Sequence, residues 1–242
     1  MNQSVSKPPS ASQAVSPTTQ SYVPVSVGEI ATTNKGKLAE FSRLLGYPVA
    51  GKKLPIPEPQ PEDRHYAAMD AGQYVEVAED IARGKAREAY ILNGNKPVLV
   101  EDTSLFLDCM EGDPGPLIKR ACRPNGLLRL CREAHEPING GTPNLRAVAV
   151  VVLAAWNGVD EKPQTWVGQI EGTIARSPRG TNGFGWDSIF IPNEQPKVAG
   201  LSVQEPRTFA EMTNEEKDSL SMRKLAVEEL IKKPLMVPNL SV

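Results

Sequence analysis

The residues able to do chemistry in this 242-residue chain fall into four clusters. The first is "VLVEDTSLFLD", an apolar strand expected to end in two carboxylates, Glu101 and Asp102. A sheet core does not tolerate such groups unpaired, and ligands of open α/β sheets bind beyond the carboxyl ends of strands. The pair reads either as a site acid or as a strand-end cap acting through Asp102 or Thr103. Adjacent strand residues point to opposite faces, so only one of the two is expected to face a given cleft. The second cluster, "TTNKGKLAEF", is a strand-to-helix turn with Lys35 and Lys37 at the helix start. Free amides attract anions there, and lysines are poorly placed without one; a solvated charge cluster is the alternative. The third, "SPRGTNGFGWDSIF", sets Gly180, Gly183 and Gly185 around Phe184 and beside Trp186 and Asp187. Such a run can approach and stack a flat base, or it can be a turn into a strand with core aromatics. The fourth is "TNEEKDSLSMRKLAVEELIKK", residues 213–233. Thr213 and Glu216 form a capping box, and Leu220, Val227, Leu230 and Ile231 an apolar stripe. Lys217, Ser221 and Arg223 lie in its first turns, with Met222 between the last two.

Other chemistries are excluded by composition. With 27 basic and 29 acidic side chains the net charge is −2, too balanced to capture long nucleic acid electrostatically. Aromatics make up 5% of the chain, too few for single-strand stacking platforms. Cys109, Cys122 and Cys131 have no metal-ligand spacing with His65 or His135, and an odd count argues against a disulfide framework. Reduced thiols in a cytoplasmic setting are expected, and any metal must be bound by oxygen. No apolar run approaches the ~20 residues that span a bilayer. Residues 46–53, "GYPVAGKK", match G-x-x-x-x-G-K but place Lys53 where a P-loop needs Ser or Thr. They also follow a helix rather than a strand, and Pro48 removes an amide.

The elements that must position these clusters alternate between strand and helix. "VPVSVGEIAT" suits a first strand, "KGKLAEFSRLLG" a helix stopped by Gly46, and 52–65 an extended proline-rich loop. A helix follows from about Tyr74 to Leu92. "LRAVAVVVLAAW" and "QTWVGQIEGTIA" pair as a hairpin, and "WDSIFIP" forms a shorter strand. The class is α/β with a central mixed sheet flanked by helices. Residues 1–26, rich in Ser, Pro, Thr and Gln, read as a disordered tail. The folded domain spans 27–235, and 236–242 forms a second loose end.

Lysines and a helix start for phosphates, carboxylates for a hard metal, and an aromatic-glycine loop for a base add up to a nucleoside triphosphate site without a P-loop. At this point the chain resembles the inosine triphosphate pyrophosphatase family (Ham1-like). "TTNKGKLAEF" is similar to that family's T-G-N-x-x-K-x-x-E, and "PEPQPE" to its P-E-x-Q-G-E loop. "VLVEDTSLFLDCMEGDPGPLIKR" follows V-E-D-T-x-L…G-x-P-G-P-x-I-K. "PRGTNGFGWDSIF" resembles P-R-G-x-x-x-F-G-[YW]-D-P-x-F, and "TFAEMTNEEKDSLSMR" resembles T-x-A-E-M-x-x-x-E-K-N-x-x-S-H-R.

The resemblance implies an elongated two-lobed fold with a nucleotide cleft between the lobes, usually homodimeric. It implies magnesium-dependent hydrolysis of ITP, dITP and XTP to the monophosphate and pyrophosphate, with manganese as a substitute ion. By position, Asn34 and Lys37 would hold the triphosphate, with Thr32 and Thr103 also binding substrate and Lys37 counted with Asp102 and Glu62 as catalytic. Glu62, Asp102 and Glu101 would form the metal site, Asp102 handling the attacking water. Phe184 would stack on the base, with Gly185, Trp186 and Asp187 completing that wall. Lys217 would reach phosphate or base, and Ser221, Met222 and Arg223 would line the base end. This chain departs from the pattern in Met222 for His, Ser188 for Pro, Thr33 for Gly and Pro61 for Gly. About ten extra residues also lie between Asp187 and Lys217. A second reading, a catalytically weakened nucleotide-binding module of the same fold, rests on Met222.

Overall fold

The computed structural model describes residues 22–24, 27–60, 71–136, 142–195 and 205–238. Its centre is the expected hairpin, β6 (Arg146–Ala155) and β7 (Gln164–Ile174), paired antiparallel from Arg146–Thr173 to Ala155–Gln164. β4 (Val100–Leu107) lies on the other side of β6, and the sheet is completed by β5 (Pro114–Gly115) and β8 (Phe190–Pro192) in the order β5-β4-β6-β7-β8. All pairings within these five strands are antiparallel. Parallel character enters where β2 (Glu29–Ile30) pairs with β3 (Ala50–Gly51) and Ile30 bridges to Leu99. The expected mixed central sheet is therefore corrected: its five strands are wholly antiparallel, and the parallel pairing is confined to the separate β2–β3 pair and that isolated bridge.

The near-continuous apolar run of β6 has a simple cause: both of its faces are covered. Ala147, Ala149, Val151, Leu153 and Ala155 belong to one core, and Val148, Val150, Val152 and Ala154 to the other. Over the second face lies α2 (Ala71–Leu92), whose Ala78, Ala82, Ala86 and Ala89 recur at helical spacing and let it approach closely. Tyr74 of this helix stacks on Phe106 at 4.3 Å. The first face is covered by α6 (Met222–Lys232) through Ala226, Val227 and Leu230. Here Gly168 of β7 has a specific role: a Cβ on it would lie 1.8 Å from the Met222 carbonyl oxygen. α1 (Lys35–Leu45) starts at Asn34, whose side chain accepts from the Lys37 amide, and stops at Gly46 with φ 77°. The short α3 (Ile118–Ala121) and α4 (Gly126–His135) follow β5.

Four more expectations are corrected. β4 does not end at Glu101-Asp102; it begins there and runs on to Leu107. The acids sit inside the sheet because basic residues from other elements neutralise them. The helix read over 213–233 is two helices, α5 (Asn214–Leu220) and α6, broken at Ser221, whose backbone is extended and whose hydroxyl caps α6. Its stripe holds for Val227 and Leu230, with Leu220 partly buried against the same core, but Ile231 is 62% exposed because α6 turns Ala226, Val227 and Leu230, rather than Ile231, to the sheet. Finally, β1 (Tyr22–Pro24) and β9 (Met236–Pro238), assigned by sequence to the two tails, pair antiparallel. Residues 1–21 and 239–242 lie outside the described part.

The Gly168 contact predicts that Gly168→Ala destabilises the chain by ~1–3 kcal/mol, the usual range for overpacking. Activity should fall with it, because α6 carries Met222 and Arg223. Urea denaturation checks this; an unchanged midpoint would contradict the close approach.

Candidate functional site

One cavity of about 560 Å³ collects nearly all the predicted residues. The first wall is the start of α1. Thr32 Oγ1 accepts from the Asn34 amide at 3.2 Å, and Asn34 Oδ1 from the Lys37 amide at 3.1 Å. These bonds shape the turn, while the amides of Lys35 and Gly36 have no protein acceptor among the described residues. No acidic residue occupies this first turn, so the helix end remains open to an anion.

The base of the cavity is a buried charge cluster. Arg223 donates to Glu101 through Nε (3.2 Å) and Nη2 (2.8 Å), and its Nη1 lies 2.7 Å from Glu40 Oε2. Lys217 Nζ sits 2.7 Å from Asp187 Oδ2 and 3.2 Å from Glu40 Oε2. Lys37 reaches Glu101 at 3.1 Å, and the Thr103 hydroxyl donates to Glu101 as well. Burial alone would push the Glu101 and Glu40 carboxyls up, but Arg223, helped by Lys37 at Glu101 and Lys217 at Glu40, holds both below their ordinary values. Arg223 is raised for the reciprocal reason: its two carboxylate partners outweigh its own burial. Asp187 goes the other way, pushed up by burial against the pull of Lys217 and the Phe184 amide.

On the opposite face of β4 the arrangement is different. Glu101 pairs in register with Leu153 and Asp102 with Val152, which belong to the two different cores. Glu101 therefore points to the α6 side and Asp102 to the α2 side. Both still line the one cavity, which wraps the start of the strand; the expectation that only one acid faces the cleft is corrected. Asp102 Oδ1 accepts from Lys85 Nζ of α2 at 2.5 Å and its Oδ2 from Ser104 Oγ at 3.2 Å. Glu58 comes within 3.6 Å of the same ammonium and also pairs with Lys119.

Phe184 crosses the cavity toward α1. Its ring lies under the Lys217 ammonium (4.7 Å) and the Arg223 guanidinium (5.7 Å). On the α1 side, a Cβ on Gly36 would be 2.4 Å from the ring. Gly185, at φ 60°, turns the chain behind it. Trp186 lines the cavity but packs edge-on against Phe190 at 5.4 Å, so both the base-wall and the core-aromatic readings of that run apply. Met222 is buried and lines the same end.

One predicted residue falls outside the cavity, and one is not described. Ser221 is not among the lining residues; its hydroxyl donates to Glu40 and caps α6. Glu62 lies outside the described residues. From the same loop, Glu58 lines the cavity. Sequence reasoning also missed Glu40, Lys85 and Lys119. Lys85 carried a signal, an ammonium among the alanines that face the sheet on α2. Cys122 lines the cavity too, its thiol pushed up to about 11 by burial and the nearby Asp187 charge, which keeps it protonated and unsuited to nucleophilic attack. All three cysteines are free thiols.

Fold and site can now be set beside known proteins. A family model described as the Ham1 family matches residues 29–233. The chain is 34% identical over 212 residues to a dITP/XTP pyrophosphatase of Hyperthermus butylicus, spanning 83% of this chain and 90% of that protein. It is 34% identical over 228 residues to an inosine triphosphate pyrophosphatase of Leishmania major, spanning 83% and 89%. A HAM1 protein of Coxiella burnetii superposes with a TM-score of 0.58 at 27% identity, over 84% of this chain and 95% of that one. A nucleoside-triphosphatase (dITP/XTP pyrophosphatase) of Mycobacterium abscessus does so at 0.56 and 28%, over 84% and 97%. The chain belongs to the Ham1 family.

The Phe184–Gly36 contact gives a test by sign. Gly36→Ala in a helix ordinarily stabilises by ~0.4–1 kcal/mol. Here it should destabilise, and become stabilising when Phe184→Ala removes the ring. Denaturation of the four members of that cycle measures it; a favourable Gly36→Ala in the native background would contradict the contact.

Proposed function

We propose that this chain is a nucleoside triphosphate pyrophosphatase acting on purine nucleotides with a 6-keto base, ITP, dITP and XTP. The observation that carries the reading is the charge layout of the cavity. Seven basic and four acidic side chains line it, an excess of three positive charges that suits a triphosphate. The lining takes in both the α1 start and an aromatic end where Phe184 meets Lys217 and Arg223. The names of the relatives point to the same substrates.

In this reading Asn34 and Lys37 receive the phosphates at the α1 start with Lys85 and Lys119, and Thr32 and Thr103 shape the turn and the acid beside them. The base lies against Phe184 and Gly185, with Trp186 and Asp187 behind. Arg223 offers donors to a 6-keto oxygen; against a 6-amino group they would be left unpaired, which discriminates strongly. Met222 adds an apolar contact where a polar group would sharpen that choice.

Among the described residues no cluster of three or more His, Cys, Asp or Glu is placed to hold a metal. Two carboxylates do converge, Asp102 and Glu58, sharing the Lys85 ammonium as one cation already. Magnesium is commonly held by one or two carboxylates with phosphate oxygens and waters, so the donor set fits, with Glu62 a third candidate. Glu101 is spent on Arg223, Lys37 and Thr103. The bound ion would supply charge stabilisation at the phosphoryl oxygens. Asp102 orients a water and takes its proton as the water oxygen bonds to the α-phosphorus. The bond from that phosphorus to the α–β bridging oxygen breaks, and pyrophosphate leaves with the electron pair.

Among the described residues no helix is long and apolar enough to cross a membrane, and the free thiols suit the cytoplasm. Light scattering checks the homodimer. The main test is a panel of ITP, XTP, dITP, GTP, ATP and dUTP with magnesium, scored for pyrophosphate and for orthophosphate. ITP or XTP should lead and release pyrophosphate. Asp102→Asn should lower kcat by at least ~100-fold, as loss of a general base does. Met222→His should shift the ranking by up to about tenfold. Orthophosphate as the product, or an undiminished Asp102→Asn enzyme, would overturn the reading.

A further inference from the structure

Glu40 is the one acid of the buried cluster that does not line the cavity. It stands on α1, between the partly buried Leu38 and the buried Phe41, and is 0% exposed. An isolated carboxylate in such a place would be expelled or protonated. It stays because it is surrounded by three partners, all from one short segment. Its Oε1 accepts from Ser221 Oγ at 3.1 Å, and its Oε2 lies 3.2 Å from Lys217 Nζ and 2.7 Å from Arg223 Nη1.

Two of these partners are the cations at the aromatic end of the cavity, and each is also held by a second acid. Arg223 is bound by Glu101 along its Nε–Nη2 edge, and Glu40 takes the remaining corner. Two hydrogen bonds to Glu101 set the plane of the guanidinium, and the 2.7 Å ion pair with Glu40, which lies outside hydrogen-bond geometry, holds its far corner by charge. Lys217 is stretched between Asp187 and Glu40; without Glu40 it would be free to settle on Asp187 alone. Ser221, the third partner, is the residue at which α5 ends and α6 begins. One carboxylate thus ties the helix whose start faces the phosphates to the break that presents the base-facing cations.

We infer that Glu40 is a positioning residue for base selection: it holds Arg223 and Lys217 in the orientation that distinguishes a 6-keto from a 6-amino purine, without touching the nucleotide. This rests on the function proposed above. Loss of Glu40 should let Arg223 follow Glu101 alone, so the donors lose their aim while the phosphate contacts and Asp102 remain. The cost should fall on the nucleotide that needs the donors.

The experiment compares kcat/KM for ITP and for ATP in the native enzyme, Glu40→Gln and Glu40→Asp, with thermal melts of each. Glu40→Gln should lose at least tenfold for ITP and change ATP by less than threefold, so the ITP:ATP ratio falls. Glu40→Asp keeps the charge but withdraws it by one methylene, and should not restore the ratio. Should Glu40→Gln fail to fold, Glu40→Asp carries the same readout. Equal losses for ITP and ATP, tracking the melts, would reduce Glu40 to a structural role and overturn the inference. So would an unchanged ratio. A native enzyme that turns over neither ITP nor XTP would instead sink the functional reading itself.

Discussion

The structure depends on one buried guanidinium. Arg223 is 1% exposed and lies between Glu101 of the sheet and Glu40 of α1. A charge so far from water is tolerable only while its partners stay in place, and removing one partner of a buried pair commonly costs ~3–5 kcal/mol. That penalty locks three elements together: β4, α1 and α6 cannot shift separately without stranding a charge. Most of the same cluster lines the cavity, so groups that hold the fold are also those that, in the proposed function, meet the base. Preorganised donors of this kind need no rearrangement when a ligand arrives.

The rest of the architecture serves this placement. β4 directs Glu101 to one face and Asp102 to the other, which in the proposed function divides a selection side from a reaction side across a single strand. Gly168 lets α6 sit close enough on β7 for Arg223 to reach Glu101. The alanine stripe of α2 does the same on the other face, bringing Lys85 down onto Asp102. The Ser221 break turns the chain so that Lys217, at the end of α5, and Arg223, at the start of α6, converge on Glu40.

Most of this frame is legible in the sequence where the pattern is local. The β6–β7 hairpin, the α1 cap and stop, and the capping box at Thr213 follow from periodicity and end residues. The misreadings share a cause: each depends on a partner distant in sequence. Glu101 and Asp102 look like a strand end because acids do not belong inside a sheet, yet Arg223, 122 residues away, accommodates Glu101, and Lys85 of α2, 17 residues away, accommodates Asp102. Glu40 looks like an ordinary helix acid, and its partner Ser221 is 181 residues away. Ser221 itself reads as helical until its bond to Glu40 is seen. Of the three acids in the proline-rich loop, the motif points to Glu62, and Glu58 meets Lys85 and Lys119 across the cavity.

If buried carboxylates fix the base-facing charges in advance, the Arg223 side chain must already be locked in nucleotide-free protein. The most direct measurement is its Nε–H signal in arginine-labelled protein, assigned with Arg223→Lys and followed by NMR at neutral pH. One slowly exchanging resonance should be present before any nucleotide is added, and should persist when an inosine nucleotide binds. A signal that exchanges rapidly in the free protein and becomes protected only on binding would contradict the account.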